Sequence, residues 1–154
     1  MRNDDSYEQT MREEINRQAE TDPSIDWGNN MRILLISDSA PGRAEAIKDY
    51  LTAKTQISEV KLCSDFDSAN SSISESPPDA VVYIGMQTAP ELYQLVQMLK
   101  GSYAETFFCM YAHLDPIVKD TCQKHGIKDI FPDKEPVADF IRFLQTMIER
   151  TKAK

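Results

Sequence analysis

Two cysteine–histidine pairs lie close together in this sequence: Cys109 with His113 four residues on, and Cys122 with His125 three residues on. A thiolate beside an imidazole is the arrangement of a cysteine nucleophile and its base, so both spacings invite a catalytic dyad. Their settings argue against one. Cys109 falls inside the strand-like run Thr106 to Ala112 (TFFCMYA), and Cys122 and His125 close a helical stretch, where an imidazolium suits the negative end of the helix dipole with no catalytic duty. The three cysteines, Cys63, Cys109 and Cys122, are odd in number and scattered, which fits reduced, packed thiols better than a disulfide framework or a zinc site. Met86, Met98, Met110 and Met147 belong with core or edge packing before any copper site. Asp38 follows the apolar run Met31 to Ser37. A lone carboxylate there serves as a helix N-cap or a surface acid, because magnesium takes more than one carboxylate or a substrate phosphate as well. With no GxGxxG and no P-loop, nucleotide binding has no motif behind it. The expectation is a chain with no catalytic residues, no metal and no cofactor.

The elements around these residues follow from hydrophobic periodicity. From Met31 onward, apolar runs alternate with helical patterns: strands at Met31 to Ser37, Ser58 to Leu62, Ala80 to Ile84, Thr106 to Ala112 and Ile127 to Phe131. Helices fall between and after them at Pro41 to Lys54, Asp67 to Ser76, Pro90 to Lys100 with Gly101 as a cap, Asp115-Pro116 to His125-Gly126, and Pro136 to Arg150. Short connections in strict alternation specify parallel βαβ units with right-handed crossovers. The fold expected is α/β, a three-layer doubly wound (βα)5 parallel sheet of flavodoxin-like order 2-1-3-4-5. Residues 1–30 read differently, as an acidic tail separated by Asp22-Pro23 and Gly28-Asn29-Asn30 from a domain at 31–154. The tail's one apolar stripe, Tyr7, Met11 and Ile15, allows a short helix that needs a partner surface.

Apolar residues make up 41% of the 154 and charged ones 27%, as in ordinary globular domains. The net charge of −8 would be repelled by a phosphate backbone, and the only basic cluster is Arg150, Lys152 and Lys154, so direct nucleic-acid binding is not expected. Neither Ile33 to Ile36 nor Ala80 to Ile84 approaches the length of a membrane span, and the acidic N-terminus lacks the basic and apolar regions of a signal peptide. A cytoplasmic location and no membrane partner are expected.

The segment from Met31 to about Arg150 resembles the receiver domain of bacterial response regulators, through element order and four stretches: RILLISDSAPGR, PPDAVVYIG, CMYAH and GIKDIFPDKEP. The resemblance implies a site at the carboxyl edge of the sheet. Receivers hold magnesium with an acidic pair after the first strand and phosphorylate an aspartate ending the third. A Thr or Ser ends their fourth strand and a Lys-Pro follows the fifth. Metal and cation are needed because charge accumulates on the phosphoryl oxygens. Carried onto this chain, the acidic pair becomes Ser37 and Asp38, and Arg43 matches a basic residue of the next helix. The phosphoacceptor becomes Ile84, or Gly85 if the strand is one residue longer; neither has a nucleophilic side chain. The hydroxyl position becomes Tyr111 or Ala112. The Lys-Pro position becomes Asp133-Lys134-Glu135-Pro136, with Lys134 in the lysine role after a one-residue shift, free to pair with Asp38.

What the resemblance then implies is a pseudo-receiver standing alone, not an enzyme, working in signal transduction by binding a protein partner or a second copy. The receiver signalling face maps to Ile117, Lys119, Asp120, Ile130, Phe140 and Phe143, with Phe143 at the edge of its helix's apolar stripe. The competing expectation is a small-molecule binder that uses the loops Asp38 to Arg43, Gly85 to Ala89 and His113 to Asp115 at the carboxyl edge. Cobalamin is excluded from that competition, since the stretch Asp38 to Gly42 has no histidine to ligate cobalt.

Overall fold

A computed structural model describes residues 3–25, 31–38, 41–85 and 90–152. The strands are β1 (Arg32–Ile36), β2 (Glu59–Cys63), β3 (Ala80–Gly85), β4 (Phe107–Ala112) and β5 (Ile130–Pro132), all parallel and ordered β2-β1-β3-β4-β5. The helices are α1 (Asn3–Thr21), α2 (Pro41–Lys54), α3 (Phe66–Glu75), α4 (Pro90–Ser102), α5 (Pro116–Lys124) and α6 (Val137–Lys152). This is the flavodoxin-like α/β fold. β1 lies between β2 and β3 with helices packed on both of its faces, which accounts for its apolar run Ile33–Ile36.

Strand alternation divides the core into two layers. Ile33, Leu35, Val82, Ile84, Cys109 and Tyr111 face α2 and α6, meeting Ile47, Leu51, Phe140, Ile141 and Leu144. Leu34, Ile36, Val81, Tyr83 and Met110 face the other way, onto Phe66, Ile73, Leu92, Leu95 and Cys122 of α3, α4 and α5. Asp115 caps α5 by accepting from the Val118 N–H at 3.0 Å, with Pro116 behind it.

Several boundaries depart from expectation, most by one or two residues. α4 runs through Gly101 to Ser102 instead of stopping before it. β5 begins at Ile130, because Ile127 is drawn into the core by the turn at Gly126, whose φ of 89° suits glycine. The segment expected to be a tail contains a 19-residue helix docked on α2, with Ile15 only 1% exposed. A three-residue apolar stripe is too narrow to hold it there alone. The rest comes from polar contacts: the Gln18 carboxamide oxygen accepts from the Val137 N–H at 2.7 Å, capping α6, and the Tyr50 hydroxyl donates to Asp22 at 2.6 Å. The Ile25 N–H donates to the Lys54 carbonyl at 2.6 Å, completing a clamp along α2.

Candidate functional site

The carboxyl ends of β1, β3, β4 and β5 bring most of the expected site residues to one edge. Ile84 and Tyr111 are paired in the β3–β4 register and both have no exposed surface. Gly85 pairs with Ala112 beside them. The Tyr111 ring lies in an aromatic cluster, 4.6 Å from Phe140 and 6.4 Å from Phe131 between centroids, and fills the space over the end of β4. Its hydroxyl donates to the Asp133 carbonyl at 3.2 Å. Burial, then the charge of Asp133, holds that phenol well above its usual range, so it stays neutral.

Ser37 and Asp38 part company. Ser37 is buried, its N–H donating to the Cys63 carbonyl at 3.0 Å. Asp38 is exposed and turns to the opposite layer, where its Oδ1 accepts from the Tyr83 hydroxyl at 2.6 Å. Lys134 is exposed as well, and among the described residues no ion pair joins it to Asp38. The residue drawn into the pocket after β5 is its neighbour Asp133, 1% exposed.

Asp133 is matched by Arg43, whose guanidinium has no exposed surface and whose Nη1 donates to Asp133 Oδ2. The cluster is completed from α1. The Tyr7 hydroxyl reaches both Asp133 oxygens, at 2.7 and 2.8 Å, and its ring sits 5.6 Å from the Arg43 guanidinium carbon. Glu8 Oε2 lies 2.9 Å from Arg43 Nη2, an ion pair whose alignment falls outside a good hydrogen bond. Burial raises the Glu8 carboxyl above its ordinary value, with Arg43 pulling it down. Burial and the bond to Asp133 raise the Tyr7 phenol likewise.

Sequence reasoning named Arg43 only as a match and missed Asp133, Tyr7 and Glu8. Two signals were available: Asp133 stands just after the fifth strand, and Tyr7 leads the apolar stripe of the N-terminal segment. Among the described residues no carboxylate stands at the end of β3, and Asp133 is held by the Arg43 guanidinium and the Tyr7 phenol of α1. The loops 39–40 and 86–89, part of the expected ligand site, lie outside the described residues. Between β4, β5 and α5 the carboxyl edge has a cavity of about 130 Å³ lined by His113, Leu114, Lys119 and Pro132, well under the roughly 300 Å³ of small-ligand pockets.

On the expected signalling face, Ile117 is 80% exposed, Lys119 and Asp120 are exposed and Ile130 is half-buried. Phe140 has no exposed surface and leaves that face: it belongs to the core, against Tyr111 and Phe131. Phe143 is half-buried, its ring 5.3 Å from Phe131 and 6.0 Å from Phe107. The cysteine–histidine pairs form no dyad. Cys109 and Cys122 are buried with thiols raised by desolvation, while His113 is exposed and His125 stacks 3.9 Å from Tyr93.

No family model matches this chain, and no curated protein does. Among solved structures it is similar to the crystal structure of NtrX from Brucella abortus in complex with ATP, with a TM-score of 0.61 and 17% identity. The match covers 79% of this chain and 27% of that one, so the chain spans about a quarter of the length of its neighbour. The likeness is one of fold, and the fold is receiver-like. Among the described residues no helix is long and apolar enough to cross a membrane.

Proposed function

We propose that this chain is a pseudo-receiver, a cytoplasmic protein-interaction module of signal transduction that works without phosphorylation and without catalysis. One observation carries the reading: the edge where a receiver would do phosphoryl chemistry is filled by Ile84 and Tyr111 and closed by the Asp133–Arg43 pair under Tyr7 and Glu8 of α1. A phosphoryl group needs a nucleophilic carboxylate beside the cations that offset its charge; among the described residues none stands at the end of β3, and Asp133 is engaged by Arg43 and Tyr7. What remains is surface. Ile117 supports the α5 side as a contact region, since a large apolar side chain held mostly in water gains from being covered.

Incubation with acetyl phosphate and magnesium, followed by intact-mass measurement, tests the first half. The mass stays unchanged, and a stoichiometric phosphoryl adduct on a carboxyl-edge aspartate overturns the reading. Replacing Ile117 by Ser tests the second half. Retention of a protein partner from native lysate falls at least tenfold while circular dichroism is unchanged. Retention equal to wild type removes this face.

A further inference from the structure

The sheet has two edges, and they differ. β5 is three residues long and ends in Pro132, which blunts it against further pairing. β2, Glu59–Cys63 (EVKLC), has five residues with neither proline nor glycine, and β1 is its only strand neighbour among the described residues. The Ser37 N–H donates to the Cys63 carbonyl, so Cys63, Lys61 and Glu59 direct their backbone groups toward β1. Val60 and Leu62 therefore direct theirs to the open edge. Their half-buried side chains pack on the α2 layer, while Glu59 and Lys61 stand exposed on the opposite face. There the short, serine-rich α3 leaves two grooves of about 450 and 560 Å³ that share Lys61, Ser72 and Glu75.

We propose that β2 pairs antiparallel with β2 of a second copy, centred on Val60, joining two sheets into one. Two features of the strand select this register. Val60 presents both its N–H and its C=O outward, as a hydrogen-bonded pair on a two-fold axis requires. The same register sets Glu59 opposite Lys61 of the second copy and Lys61 opposite its Glu59, in the positions where cross-strand side chains lie closest. Centring on Lys61 would oppose lysine to lysine, and centring on Leu62 would oppose Lys61 to Cys63; neither offers a charge match. A lysine on an edge strand is a usual guard against pairing, and here only one register neutralises Lys61, so the guard becomes a selector. This inference rests on β2 alone and stands or falls apart from the reading of the carboxyl edge.

Sedimentation velocity of the full chain from micromolar to millimolar concentration measures the association. Wild type shows a monomer–dimer equilibrium that weakens with salt. Lys61→Glu and Glu59→Lys each place like charges in both cross-strand pairs and weaken the dimer about tenfold or more, and the double variant Glu59→Lys/Lys61→Glu returns it to within about threefold of wild type. Both side chains are exposed, and the variants at Glu59 give up only its solvent-accessible ion pair with Arg32 at 3.2 Å, so circular dichroism is unchanged throughout. Amide exchange at Val60 slows as the dimer forms. A wild type that stays monomeric, a dimer indifferent to the single charge reversals, or a double variant no better than the singles overturns the proposal.

Discussion

Replacing Arg43 by methionine keeps most of the side chain's hydrocarbon in place and removes only the guanidinium, which isolates the electrostatic part of the cluster. Asp133, with its side chain fully buried, is then left with the Tyr7 hydroxyl as donor and no cation, and Glu8 loses its ion pair. Breaking a buried pair from one side costs about 3 to 5 kcal/mol, because the surviving charge keeps its desolvation without compensation. With a urea slope of roughly 2 kcal/mol/M, the midpoint should fall by about 1.5 to 2.5 M. The melting temperature should fall by roughly 6 to 20 °C. Urea titration followed by circular dichroism at 222 nm measures it. The companion variant Asp133→Leu should also destabilise, and the double variant should cost much less than the sum of the two, the signature of a direct pair. A loss below about 1 kcal/mol for Arg43→Met, the value of a solvated surface pair, would refute the argument that α1 seals this cluster from water.

Three further outcomes follow from the same geometry. The raised Glu8 carboxyl binds its proton more tightly in the folded than in the unfolded chain, so folding gains stability as pH falls from neutrality toward the ordinary glutamate range. Relative to Glu8→Gln, wild type should gain stability on that acid side, and urea titrations at pH 7 and pH 5 giving the opposite trend would contradict the burial argument. Ile84→Asp should lower stability by roughly 3 to 5 kcal/mol and still show no phosphoryl adduct with acetyl phosphate; normal stability with efficient labelling would count against it. Phe143→Ser should lower the urea midpoint through lost contact with Phe107 and Phe131. An unchanged midpoint would return Phe143 to the docking face.

Residue types and their periods were enough to establish the sheet, because a buried parallel strand and an amphipathic helix each write a short-range pattern. MRILLIS, AVVYI and TFFCMYA read as strands before any contact is known, and strict alternation leaves few topologies. The absence of a nucleophile at the end of β3 was equally legible, since it depends on which residues occupy a single short run, Ile84 and Gly85. The polar cluster was not. Asp133 and Lys134 are neighbours with similar local claims, and which of them is drawn inward depends on Arg43, 90 positions away, and Tyr7, 126 positions away. The same holds for α1, whose three apolar residues promise little alone. Its docking comes from long-range partners, α2, the α6 terminus and Asp133, that no local period encodes. Local pattern decides the elements because helix and strand are set by near neighbours; burial of a charge is decided by its partner, and only the folded chain brings the partner there.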